Sequence, residues 1–168
     1  MNYTPRQLIK ESSCIALGDS HTWGTGNKET DSWAFLLGCV NFGIPGVSTD
    51  YLARTCEKCI LKTNAEIAFF LWPDWTRFEV CLDNTYIQVL PTEHKLSYLY
   101  KDKDESWLIQ NRENKIVEIE HICERHKVLM VSMYHEDLFG IIDRHDRWPI
   151  AESTRNNPKP HYSLLWHK

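Results

Sequence analysis

The sequence predicts an α/β fold, a parallel sheet wrapped by helices in one domain spanning residues 1–168, and three observations predict it. Strand-like apolar runs alternate along the chain with helix-like amphipathic runs. The runs at 65–72 and 128–134 are almost continuously apolar, as strands covered on both faces require. The length of 168 residues suits one domain rather than two full cores, and no repeat, low-complexity stretch or Pro/Gly/Ser-rich linker divides it.

The elements follow in order. Residues 14–18 read as a brief apolar strand ending in a Gly-containing turn at Asp19 and Ser20. Residues 31–38 fit a short helix, capped by Asp31 or Ser32 and closed by Gly38. A second short strand is expected at 39–43, followed by the turn Ile44, Pro45, Gly46. Ser48 or Thr49 then caps a longer helix over 50–62, with Leu52, Cys56, Cys59 and Ile60 on one face. The third strand, 65–72, is the most apolar. Residues 80–90 read as a strand or hairpin, because Tyr86, Ile87 and Val89 favour extended backbone. From 93 to 126 the spacing is helical with a break near 101–104, clearest at Ile116, Ile119, Ile122 and Cys123. A fourth buried strand follows at 128–134. Beyond it the chain is polar and loop-like until a short terminal helix at 161–166.

Composition excludes several classes of function. Apolar residues at 42% and charged residues at 25% rule out a disordered tail, a collagen-like rod and a coiled coil. A formal charge of -4 lacks the basic footprint of a nucleic-acid binder. The longest apolar run, 67–72, is too short to span a membrane, and the first residues show no apolar leader. A cytoplasmic protein with no membrane partner is therefore expected, with its six cysteines reduced. Cys56 and Cys59 have ligand-like spacing but fall inside a helix with no second pair, and Asp143, His145 and Asp146 read as a solvated run. There is neither a Walker loop nor a complete Gly-x-Gly-x-x-Gly, so no metal or cofactor is expected. The oddity is seven tryptophans, which either fill the core of a small domain or line an aromatic pocket.

Parallel sheets place their sites in loops at the carboxyl ends of the strands. That rule selects 18–26, 41–49, 72–79 and the loop after Tyr134. Ser20 directly follows the first strand at the opening of a tight turn, exposed and with its own N–H free. An acyl-transfer nucleophile needs that arrangement, because the N–H can stabilise a developing oxyanion.

The run Ile15, Ala16, Leu17, Gly18, Asp19, Ser20, His21, Thr22, Trp23, Gly24 resembles the nucleophile block of the SGNH (GDSL-type) hydrolases. The turn Asn41, Phe42, Gly43, Ile44, Pro45, Gly46, Val47, Ser48 resembles that family's second block. The resemblance is strong from about residue 14 to residue 50. It implies a three-layer α/β/α, flavodoxin-like sheet and an esterase, lipase or carbohydrate deacetylase activity. It also implies Ser20 as nucleophile, with the N–H groups of Ser20 and Gly46 as oxyanion donors.

The third block departs from the family, whose Gly-x-Asn-Asp is replaced by Trp72, Pro73, Asp74, Trp75, Thr76, Arg77, Phe78, Glu79. This run is similar to a divergent group often met in phage genomes. Only Asp74 aligns with the usual block, which makes it the remaining candidate oxyanion residue. Arg77 and Glu79 are open to a plainer reading, a local ion pair closing the loop. Asp19, His21, Trp23, Trp72, Trp75 and Arg77 are the expected lining of a substrate cleft.

The fourth block departs as well. Where the family has Asp-x-x-His-Pro, alignment on Pro158 puts Asn157 at the base and Thr154 at the acid, and Asn takes no proton from serine at neutral pH. His161, at the start of the terminal helix, is the expected base and His145 its rival, with Asp146 as orienter and Glu152 as alternative. Two functions follow. One is a serine hydrolase acting on a small-molecule or carbohydrate ester. The other is a catalytically reduced protein of the same fold that binds a carbohydrate or a protein partner.

Overall fold

A computed structural model describes residues 13–26, 28–91, 94–101 and 103–134. It shows a parallel sheet flanked by helices. The elements are β1 (Cys14–Gly18), α1 (Ser20–Trp23), α2 (Trp33–Leu36), β2 (Val40–Asn41), α3 (Thr49–Thr63), β3 (Ile67–Trp72), β4 (Phe78–Leu82), β5 (Thr85–Val89), α4 (Glu105–His126) and β6 (Leu129–Tyr134). Short 3-10 turns occupy Glu29–Asp31 and His94–Tyr100.

The sheet has the order β2-β1-β3-β6 with every pairing parallel. Successive side chains of a strand point to opposite faces, and the sequence uses both. Ile15 and Leu17 of β1 with Ala68, Phe70 and Trp72 of β3 join Leu52, Cys56 and Ile60 of α3 and Ile116, Ile119 and Cys123 of α4 in one core. Cys14, Ala16, Ile67 and Phe69 point the other way and pack with Ala34 and Trp33 of α2. Two covered faces explain why β1 and β3 are apolar at every position, and both strands are buried throughout. β6 differs from the expectation of a fourth buried strand. Among the described residues it has a neighbour on one side only, and Leu129 is well exposed.

Local chemistry sets the helix boundaries. Ser48 caps α3, its hydroxyl accepting from the Tyr51 N–H at 3.4 Å, and Asn64 ends it in the left-handed conformation. Ser32 caps α2 through the Phe35 N–H. The break expected near 101–104 is the start of α4, where the Asp104 carboxylate accepts from the Trp107 N–H at 2.8 Å.

Residues 80–90 resolve as a hairpin, β4 against β5, with Asp83 and Asn84 at positive φ in its two-residue turn. Phe78 and Val89 close a separate small core with Leu108 of α4. Among the described residues no helix is long and apolar enough to cross a membrane. No disulfide joins the six cysteines, of which Cys81 is exposed and Cys59 partly buried.

Candidate active site

β1 leads to β2 on one side of the sheet and pairs with β3 on the other, so strand order reverses between β1 and β3. The crevice beyond the carboxyl ends of the strands at such a switch point is where open α/β sheets bind ligands. Ser20 follows β1 there, and the 73–77 turn follows β3.

Two glycines let backbone close in around the Ser20 turn, Gly18 where β1 meets β3 and Gly43 where the loop after β2 meets α1. A Cβ on Gly18 would lie 2.1 Å from Thr22 Oγ1 and 2.7 Å from Leu71 O. A Cβ on Gly43 would lie 2.4 Å from the backbone nitrogen of Trp23. Only glycine admits backbone contacts this close. Asn41 fastens the same junction, since its Nδ2 donates to Thr22 O at 2.8 Å while its Oδ1 accepts from Gly43 N. Ile44 N donates to Gly18 O at 3.0 Å, which holds the second loop along the end of β1.

Ser20 opens α1 and is 7% exposed, more enclosed than its place in a turn predicts. Asp19 caps the turn and folds it inward, its Oδ1 accepting from His21 N at 3.1 Å. Among the described residues the Ser20 hydroxyl makes no hydrogen bond, and its oxygen is not one of the fully enclosed, unpartnered polar atoms. Gly46 adopts a φ of 82° at the turn after β2, which favours glycine.

Arg77 does not pair with Glu79. Its Nη1 donates to Asp19 Oδ2 at 2.8 Å, with Asp19 only 1% exposed, and also lies 3.5 Å from Val47 O. Glu79 turns away to Arg54 of α3, accepting from Nη2 at 2.8 Å and from Nε at 3.1 Å. Gln88 donates to Glu79 as well, and its own oxygen accepts from Ser48 N at 2.9 Å. The Arg54 guanidinium lies 4.1 Å over the Tyr86 ring.

The turn that carries Arg77 is firmly held. Asp74 Oδ1 accepts from the Thr76 N–H at 2.9 Å and the Thr76 hydroxyl at 2.6 Å, and Arg77 N donates to Asp74 O. The Tyr100 hydroxyl reaches Thr76 O at 2.8 Å and Val89 O at 3.2 Å, and burial pushes its pKa up to about 12. The Asp74 carboxylate thus acts as an acceptor within its own turn.

The expected aromatic lining divides. Trp23 is 53% exposed and borders an open groove of about 210 Å³ with Phe42, Ile44 and Tyr51. Trp72 does not line a cleft. It is 1% exposed, stacks on Phe70 at 5.0 Å between ring centres, and belongs to the main core. Trp75 packs against the Phe78, Val89 and Leu108 cluster under the hairpin. The core-filling reading of tryptophan therefore accounts for Trp72, because the last inward position of a buried strand is still core, while Trp75 in the turn beyond it is partly buried.

His161, His145, Asp146, Glu152, Thr154 and Asn157 lie outside the described residues. Sequence reasoning missed the Arg77–Asp19 bridge and the role of Asn41. The available signal was an acid between a glycine and a serine at a buried strand end, which needs a cation from elsewhere in the chain. Among the described residues no group of three His, Cys, Asp or Glu side chains is placed to hold a metal ion.

No protein-family model and no curated protein matches the chain. Solved structures similar to it include a G-D-S-L family protein from Desulfitobacterium hafniense DCB-2, with 13% identity over 72% of this chain and a TM-score of 0.49. The chain spans 58% of that protein's length. Another is a catalytic mutant of an acetylxylan esterase from Geobacillus stearothermophilus, with 14% identity, 93% of this chain and 89% of that one covered, and a TM-score of 0.44. A third is a two-domain esterase active on acetylated mannans, with 15% identity, 95% and 47% covered, and a TM-score of 0.43.

Proposed function

We propose that the protein is a serine hydrolase that cleaves an ester or acetyl group from a small molecule or carbohydrate. The observation that carries this is the meeting of two strand-end loops. Ser20 follows β1, the Gly46 turn follows β2, and Asn41 and Gly43 hold the two loops in backbone contact. Ser20 is the nucleophile, and the N–H groups of Ser20 and Gly46 receive the oxyanion of the tetrahedral intermediate. His161 takes the serine proton and returns it to the leaving alcohol, with Asp146 orienting its ring. The reaction uses no cofactor and no metal, and a cytoplasmic setting with no nucleic-acid or membrane partner fits the composition. The Thr76, Arg77, Phe78, Glu79 run supports a divergent, phage-type branch of the SGNH hydrolases.

Labelling with a serine-directed fluorophosphonate tests the assignment. The parent is expected to be modified at Ser20 and Ser20→Ala not at all, with His161→Ala slowed about 10²–10⁴-fold. No labelling of Ser20 anywhere between about pH 6 and about pH 9 would sink it.

A second reading is favoured by Asn157 at the aligned base position and by the open groove beside the exposed Trp23 ring. There the same loops form a binding site for a carbohydrate or a protein partner. Titration of tryptophan fluorescence with acetylated and unacetylated oligosaccharides, parent against Trp23→Ala, separates it from catalysis.

A further inference from the structure

We infer that Arg77 is the positioning residue of the site: one guanidinium from the third strand-end loop sets the two oxyanion donors against each other. Its Nη1 donates to Asp19 Oδ2 at 2.8 Å and lies 3.5 Å from Val47 O. Asp19 is bonded directly to Ser20 in the chain and Val47 directly to Gly46. The same cationic nitrogen therefore holds the residue preceding one donor N–H and the residue following the other. The inference rests on the hydrolase reading of Ser20 and Gly46.

Three observations make this more than a surface ion pair. Asp19 is almost fully buried and the Arg77 side chain is 14% exposed, so the charges sit where water screens them little. The partners are 58 residues apart, so the bond joins separate loops rather than closing one. The turn at the base of Arg77 is itself braced by the Asp74–Thr76 contacts and by Tyr100. A buried ion pair contributes little net stability against an apolar substitute of similar shape. Its gain is geometric, and a displacement of about 1 Å at a reacting group costs on the order of 10²-fold in rate. Arg77 thus acts through Asp19 and Val47 and touches no reacting atom.

The experiment compares the full-length parent with Arg77→Met and Arg77→Lys, the latter keeping the charge but losing the planar guanidinium fork. Fluorophosphonate labelling of Ser20 is measured over a range of reagent concentrations, together with amide hydrogen exchange. Arg77→Met is expected to label about 10–100-fold more slowly at saturating reagent with the apparent reagent affinity unchanged. Exchange at 19–24 and 46–48 should rise together, and Arg77→Lys should fall between the two. A folded Arg77→Met that labels at the parental rate overturns the inference. If Arg77→Met does not fold, parental labelling by Arg77→Lys overturns it and slowed labelling supports it. If the parent itself does not label, the hydrolase reading fails. Exchange then decides the clamp alone: a joint rise at both loops in Arg77→Lys upholds it, and unchanged exchange removes it.

Discussion

Arg77 and Glu79 are neighbours in sequence and serve two different regions of the molecule. Arg77 reaches to Asp19 at the end of β1, where the carboxylate is buried and the guanidinium largely enclosed. Glu79 reaches to Arg54 on α3, whose side chain is 35% exposed, and fastens the β4–β5 hairpin to that helix. One bridge lies at the switch point of the sheet and the other at its flank. The contrast shows that a charged pair close in sequence need not be a pair in space. Each residue found a partner for its enclosed charge, Arg77 a fully buried carboxylate and Glu79, itself only 5% exposed, a guanidinium that is 35% exposed and still meets solvent.

The sharpest way to break the comparison is to remove the buried acid. Asp19→Ala leaves the Arg77 guanidinium enclosed with Val47 O at 3.5 Å. The expected loss is about 3 kcal/mol, or a fall in melting midpoint of roughly 6–12 °C for a chain of this size. Calorimetry checks it, and a fall of less than about 2 °C would show that the site side is as solvated as the hairpin side.

Backbone contact distinguishes the regions next. Gly43→Ala places a methyl against Trp23 N and the backbone carbon of Thr22, and neither is the free end of a side chain that can move aside. About 2 kcal/mol of destabilisation is expected from overpacking. A shift of the Trp23 fluorescence is expected with it, because the turn carrying that ring must give way. Urea unfolding followed by both signals tests this, and unchanged midpoints would mean that the two loops are not locked.

Glu79→Ala should cost less, about 1 kcal/mol. Arg54 can return to water and keeps its place over the Tyr86 ring, and only Gln88 is left with a vacant partner. Faster amide exchange confined to 78–89 is the expected signature. Equal exchange across the sheet would mean that the hairpin is integral to it.

Much of this architecture is legible in the sequence, and the parts that are not share a cause. Apolar runs and capping residues locate β1, β3, α3 and α4 to within a few residues, because each depends on local periodicity. β2 is only Val40–Asn41, and beyond it Phe42 N and Ile44 N still bond Ala16 O and Gly18 O of β1 as the chain turns into its loop, a path no local pattern encodes. Ser20 and Gly46 stand out by motif. The Arg77–Asp19 bridge does not, since it is settled by which residue folds back from far along the chain, whereas the burial of Trp72 follows from the apolar run 65–72 that ends on it.

Two carboxylates at helix starts carry the comparison to its smallest effect. Asp50, in the first turn of α3, is enclosed beneath the hairpin, and burial raises its pKa despite bonds from Asn111 Nδ2 and Glu79 N. Asp104, the solvent-facing cap of α4, is held below the usual range by the Trp107 N–H and then by the Ser106 hydroxyl. The signs of their linkage to folding are opposite. Asp104 contributes stability that is present above its unfolded pKa and lost as pH falls through its lower folded pKa. Asp50 in its ionised form opposes folding above its raised folded pKa, and that cost fades as pH falls toward the unfolded value. Acidification should therefore loosen the start of α4 while relieving α3. Carboxyl chemical-shift titration should give midpoints on either side of about 3.9, the ordinary aspartate value. Asp104→Ala should flatten the acid limb of the stability curve and Asp50→Ala should steepen it. Coincident midpoints would show that the hairpin leaves Asp50 as open to water as Asp104, and that the flank of the sheet is wet throughout.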